Sequence, residues 1–209
     1  MSPFPANLID RWKNRSEPRA GEGKLYWHVL LGENLSLRDI AQDVQSRLRD
    51  FEGIHLTPPE WLHMTILVAG STNEIATDAA GSMLDSAAER FKYIPPVDVT
   101  FGRILYHPEA IMLGIQRNDD LEPIRQAVQD ATRSVIGRDE GVTGGADSWV
   151  PHVTIGYSTT SQPAEPIIQA LGTQTPVCPV TIDEVTLVDQ QGAERRWDWH
   201  PIGSARLSG

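Results

Sequence analysis

The sequence predicts an α+β protein built from two related halves, and three observations carry that reading. Stretches with a hydrophobic period of two alternate with stretches of helical period along most of the 209 residues. The phrase EWLHMTIL at residues 60–67 returns as VPHVTIGY at residues 150–157, each placing one His and one Thr two positions apart inside an apolar run. Each phrase is followed by a polar break and then a helix that begins near Asn73 in one case and near Gln162 in the other. The halves share this order and spacing but little sequence identity, so duplication is an expectation drawn from layout.

Taken in order, Leu25, Trp27, Val29 and Leu31 alternate with Tyr26 and His28 as a strand. Leu37, Ile40, Ala41, Val44 and Leu48 then form a helical stripe, and Ser36 with Asp39 resembles a capping box. The first His-Thr strand follows Pro58-Pro59, and Ile75, Ala79, Met83, Ala87 and Phe91 line a second helix running from Asn73. VDVTFGRILY turns at HPEA into IMLGIQ as a hairpin. A third helix starts at Asp119, with Leu121, Ile124, Val128, Ala131 and Val135 on its apolar face and Gly137 as its stop. A glycine-rich loop over 137–148 leads to the second His-Thr strand, and PAEPIIQALG makes a short helix ending at Gly172. The closing VTIDEVTLVDQQGAERRWDWHPI reads as two strands around a Gln-Gly turn. The expected organisation is a basic N-terminal arm over 1–24, flexible or loosely docked, and a single domain over 25–209. Its lobes span roughly 25–95 and 96–209, meet near Pro95-Pro96 and are allowed to exchange strands.

Composition narrows the function. A net charge of −10 argues against sequence-independent binding to long nucleic acid, which needs many Lys and Arg contacts to phosphates. A small anionic ligand in a local site is compatible with it. The arm, with five basic and three acidic residues, is the slightly positive part. No apolar run has the length of a membrane span, and the first residues lack the apolar core of a signal peptide, so the expectation is a cytoplasmic protein with no membrane partner. The single Cys178 has no disulfide partner and agrees with a reducing compartment. Oligomeric state is not legible.

In a strand, residues i and i+2 lie on one face about 6.5–7 Å apart. His63 therefore faces the same way as Thr65, and His152 the same way as Thr154, while Met64, Ile66, Val153 and Ile155 face the core. If the two lobes face one another, two imidazoles and two hydroxyls meet in one cleft. That set suits a phosphodiester. Imidazole has an unperturbed pKa near 6.5, so one copy can take a proton while the other gives one. Hydroxyls can donate to nonbridging phosphate oxygens. No metal is required, and neither H-E-x-x-H nor a carboxylate at ligand spacing accompanies either phrase.

PPEWLHMTIL and WVPHVTIGY resemble the paired H-x-[ST]-x signatures of the 2H phosphoesterase superfamily, which includes 2′-5′ RNA ligase-like proteins and cyclic nucleotide phosphodiesterases. The Pro59-Glu60 pair before the first His and Pro151 before the second match the family's flanks, and the resemblance runs over roughly residues 25–202. It implies a bilobal, pseudo-symmetric α+β fold, with an antiparallel sheet and outer helices in each lobe and a cleft between the lobes. It also implies metal-independent, cofactor-free chemistry at a 2′,3′-cyclic phosphate or a 2′-5′ linkage of a small nucleotide or RNA end. His63 and His152 would be the acid/base pair and Thr65 and Thr154 the phosphate ligands. One departure is Gly156-Tyr157-Ser158, where many ligase-like members carry a basic residue. A nucleotide-binding sensor without turnover, and RNA ligation, are the alternative functions for the same cleft.

Other residues invite functional readings beside plain structural ones. Tyr26 and His28 occupy the polar parity of the first strand, as candidate contacts for a base or ribose or as exposed strand surface. Trp149 and Tyr157 share the parity of Val153 and Ile155, which favours the core over base stacking. Trp197 and Trp199 are expected to be structural partners in the last strand. His55, in HLTP, repeats the His-x-Thr triplet, but Pro58-Pro59 interrupts any strand there. The GVTGG segment lacks the ending of a phosphate-cradling loop and is either a flap beside His152 or an ordinary solvent loop.

Overall fold

The computed structural model describes residues 4–13, 15, 21–75, 77–116, 119–137 and 149–209. Among these residues, nine strands form one continuous sheet, and two short strands, one of them in the arm, form another. The elements in chain order are β1 (Asn7–Leu8), β2 (Gly23–Leu30), α1 (Leu35–Leu48), β3 (Ile54–Leu56), β4 (His63–Ser71), α2 (Thr77–Phe91), β5 (Val97–His107) and β6 (Ala110–Ile115). They continue as α3 (Glu122–Ile136), β7 (His152–Ser158), β8 (Gln162–Pro163), α4 (Glu165–Leu171), β9 (Gln174–Ile182), β10 (Glu184–Gln191) and β11 (His200–Arg206). The fold class is α+β with antiparallel pairing, as expected.

One half of the large sheet runs β11-β10-β2-β4 and the other β7-β6-β5-β9, with β3 also paired to β7. The halves join where β4 meets β7 through the pair Met64 and Val153. Helices α2 and α3 pack behind the first half, α1 and α4 behind the second. Each half draws on both sides of Pro95-Pro96: β10, β11 and α3 come from the later sequence to the first half, and α1 and β3 from the earlier sequence to the second. The buried faces of sheet and helices merge into one hydrophobic core that includes Trp27, Met64, Phe91, Phe101 and Val153. Inside it, the Trp27 indole N–H donates to the Thr132 hydroxyl of α3 at 2.9 Å, so the aromatic payload is buried without orphaning its polar atom.

Several local expectations change. Helix α1 is capped by Asn34, whose side chain accepts from the Leu37 N–H at 2.9 Å, one residue before the helix and not by Ser36. Helix α2 starts at Thr77, later than Asn73. Residues 54–56 do form a short strand, with His55 opposite Tyr157, before the prolines stop it. The C-terminal region holds three strands, because the run before Val180 continues back to Gln174. Helix α3 ends as expected at Gly137, which takes a left-handed φ of 68° that suits a residue without a Cβ. The arm is docked over its described residues: β1 pairs with β8, Leu8 is fully buried, and the Arg11 N–H donates to the Ser158 carbonyl at 2.9 Å. Leu8 finds an apolar seat there, while residues 1–3, 14 and 16–20 of the arm lie outside the described residues. The loop at 138–148, with its GVTGG, lies outside the described residues. Among the described residues, no helix is long and apolar enough to cross a membrane.

Candidate functional site

The antiparallel pair Met64–Val153 is the pivot of the site. Counting one residue to either side, His63 lies across from Thr154 and Thr65 across from His152, all on one face of the sheet. The two phrases are thus related by an approximate twofold at the junction of the two halves. A cavity of about 1030 Å³ opens over this face, and His63, Thr65, His152, Thr154, Tyr26 and His28 all line it.

The backbone around each motif histidine fixes its ring in the same way. A single 3₁₀ turn at Pro59–Trp61 precedes β4 and turns the Trp61 carbonyl back to accept from His63 Nδ1–H at 2.8 Å. Before β7, the Val150 carbonyl accepts from His152 Nδ1–H at 2.6 Å, and Pro151 disfavours a helical conformation at Val150. A carbonyl can only accept, so each neutral ring carries its proton on Nδ1 and its lone pair on Nε2. Both rings therefore begin as bases. Burial lowers the His63 pKa, opposed by the Trp61 bond and by Glu194 and reinforced by His152. Burial also lowers that of His152, opposed by the Val150 bond and reinforced by His107 and Arg11. The surroundings differ: the nearby anion favours a proton on His63, whereas the nearby cations disfavour one on His152.

His28 is closed off from solvent. Its ring lies 4.3 Å edge-on from His63, nearly parallel to Tyr26 on one side and to Trp199 on the other. Its Nδ1 shares a 3.3 Å hydrogen bond with the Thr65 hydroxyl. With Nδ1–H donating, Thr65 keeps its own hydrogen for a ligand. Burial, then His63, hold the His28 pKa well below 6.5, so this ring is a neutral prop.

Four aromatics are buried or packed against the apolar core, as structural residues should be, yet all four also line the cavity. In β7 the register slips between Ile111 and Met112 of β6, leaving Ile155 as the extra residue. Alternation inverts past this bulge, so Tyr157 joins His152 and Thr154 on the cavity wall. Trp149 also lines the cavity, its indole N–H donating to the Thr65 carbonyl at 3.3 Å. Trp197 and Trp199 precede β11, on the connection from β10, and both line the cavity. Trp197 sits at φ 53° and stacks on Tyr157. Trp199 presents a buried indole N–H that finds no partner among the described residues. His55 lies outside the cavity wall, stacked against Trp197.

Charged residues missed from the sequence complete the site. The arm contributes Arg11 and Arg15, β2 Lys24 and β5 Arg103, and the β10–β11 connection Glu194. The cavity wall is thus cationic in a protein whose net charge is −10. Only the excess of basic residues in the arm hinted at this. Among the described residues, no group of three or more His, Cys, Asp or Glu side chains is placed to hold a metal ion.

The comparisons with known proteins agree with this architecture. The fold resembles that of TT0787 of Thermus thermophilus, with a TM-score of 0.67 at 16% identity over 89% of this chain and 98% of that one. It also resembles E. coli LigT complexed with 3′-AMP, with a TM-score of 0.65 at 15% identity over 90% of this chain and 99% of that one. LigT in its apo form gives 0.68 at 15% identity, over 90% and 99% of the two chains. No curated protein matches the sequence. These likenesses define an α+β fold of the 2H phosphoesterase type. The family model of the 2′-5′ RNA ligase superfamily matches residues 37–194, and the chain belongs to that superfamily.

Proposed function

We propose that the protein is a metal-independent phosphodiesterase that opens 2′,3′-cyclic phosphates or cleaves 2′-5′ linkages in small nucleotides or RNA ends, with His63 and His152 as acid and base. The observation that carries this reading is the pairing of two imidazoles, each with Nδ1 tied to the carbonyl two residues earlier, on one cavity face with two threonines. In this reading Thr65 and Thr154 donate to the nonbridging oxygens of the phosphate and hold phosphorus between the two rings. The carboxylate near His63 and the cations near His152 divide the work. His152 Nε2 removes the proton of an attacking water or hydroxyl, and protonated His63 gives its Nε2 proton to the departing ribose oxygen. The stacked aromatics suit a base, and LigT in complex with 3′-AMP supports a nucleotide as the ligand.

The test is turnover of nucleoside 2′,3′-cyclic phosphates and 2′-5′ dinucleotides in EDTA. His63→Ala and His152→Ala are each expected to lose roughly 10²- to 10⁴-fold in rate. Full activity in either variant rejects the assignment. Tight nucleotide binding with no turnover of any substrate favours the sensor instead, and joining of RNA half-molecules favours ligation.

A further inference from the structure

Two arginines stand on the cavity wall, and both come from the arm, outside the residues 37–194 that the family model matches. Arg11 Nε and Nη2 donate to Glu194 Oε2 at 3.0 and 2.8 Å, and its Nη1 to Glu109 Oε2 at 3.1 Å. Arg15 Nη2 donates to that same Glu109 oxygen. The Arg11 guanidinium also lies 4.5 Å over the ring of Tyr157, which shares the cavity wall with Thr154. One face of the fork is therefore anchored beside the proposed phosphate ligand, while its N–H groups grip carboxylates.

The two carboxylates are not equivalent. The Glu109 side chain is 19% exposed and held by both arginines, whereas that of Glu194 is 37% exposed and lines the cavity. A guanidinium fork accepts carboxylate and phosphate oxygens alike. An anionic group entering the cavity thus competes with Glu194, while Glu109 keeps both guanidiniums in place. The cavity volume lies at the upper end of the range for drug-sized ligands, which leaves room beyond one base and one reacting phosphate.

We propose that Arg11 and Arg15 form a second-phosphate subsite in which a phosphate other than the reacting one displaces Glu194, so that the protein prefers substrates carrying two phosphates. The substituting anion restores negative charge near His63 when Glu194 leaves. The second phosphate has two possible sources, the 5′-phosphate of a mononucleotide or the internal linkage of an RNA end. The preference for reacting substrates rests on the phosphodiesterase reading above; binding at the subsite does not.

The experiment compares kcat/KM for adenosine 2′,3′-cyclic phosphate, its 5′-phosphorylated form, and a diadenylate ending in a 2′,3′-cyclic phosphate. At least one two-phosphate substrate is expected to be favoured roughly tenfold to a hundredfold, the size of a charge-assisted hydrogen-bond set, and the favoured one names the source. The ratio should fall to near one in the Arg11→Gln/Arg15→Gln protein and rise in Glu194→Gln. A wild-type ratio near one, or a ratio that survives in the double variant, overturns the proposal. Should the double variant not fold, an unchanged ratio in Glu194→Gln alone overturns it. If the wild type turns over none of the three, the phosphodiesterase reading fails. The subsite is then read by calorimetry, where adenosine 3′,5′-bisphosphate should bind more tightly than 3′-AMP in wild type but not in the double variant. Equal affinities in the wild type sink the subsite itself.

Discussion

His28 shows how one buried ring couples fold to chemistry. It supports His63 and Thr65 only while neutral, because a proton would place charge in a site closed to water and beside a second imidazole. A His with a depressed pKa in the folded state takes up protons more readily once unfolded. Its contribution to stability is therefore complete above the unfolded pKa of about 6.5 and is lost as pH falls below it. We expect melting temperature to hold between pH 8 and 7 and to fall below pH 6.5, with His28→Gln flattening the acid decline. The slope per histidine is at most about 1.4 kcal/mol per pH unit. Equal acid slopes in both proteins contradict this role. The same depression in His63 and His152 places the maximum of kcat/KM below pH 6.5, and an optimum above pH 7.5 contradicts it. At this scale the motif residues were legible because a His-x-Thr triplet carries its chemistry within three positions. Arg11, Glu194, Trp197 and Trp199 were not, because their meeting depends on contacts between the two ends of the chain.

Strands and helices set where these side chains point, and their irregularities matter most. The bulge at Ile155 leaves its carbonyl facing α1, where the buried Gln45 side-chain N–H donates to it at 2.9 Å and to the Thr57 carbonyl at 2.7 Å. Gln45→Leu removes the donor that both carbonyls share and should destabilise by about 1–3 kcal/mol. It should also lower kcat by letting Thr154 and Tyr157 shift; denaturant melts and steady-state kinetics check the pair. Unchanged stability argues that the bulge is held without Gln45. Gly32 has a comparable role at the other motif, since a Cβ there would lie 2.1 Å from the Glu60 carbonyl oxygen in the turn that aims Trp61 at His63. Backbone on both sides leaves no cheap relief. Gly32→Ala should therefore cost on the order of 1–3 kcal/mol and impair turnover, while wild-type stability in that variant contradicts the close approach. Periodicity correctly placed β2, α1, β4, the β5–β6 hairpin, α3, β7 and α4, and missed the short strands β3 and β8. It failed for Tyr157 because period-two alternation does not survive an unseen bulge, and for Trp197 because a left-handed residue in a connection has no sequence period.

As a whole molecule the chain is woven. Strands β10 and β11 complete the half that begins with β2, and α1 supports the half that contains β7. Neither segment on its side of Pro95-Pro96 holds a complete sheet half with its helices. Calorimetry should accordingly record one cooperative transition, with calorimetric and van't Hoff enthalpies equal; two separate transitions contradict the shared core. The repeated layout was readable as two halves free to exchange strands, but which elements cross was not, because sequence order does not determine which distant strands pair. The same weaving brings one imidazole from each repeat to the junction of β4 and β7, on which the functional account depends. The most direct measurement of that account is an experimental structure of the protein with an adenosine 2′- or 3′-monophosphate. The account predicts phosphorus between the Nε2 atoms of His63 and His152, with its oxygens accepting from Thr65 and Thr154. Phosphate bound elsewhere in the cavity, with both imidazoles out of hydrogen-bond reach, contradicts it.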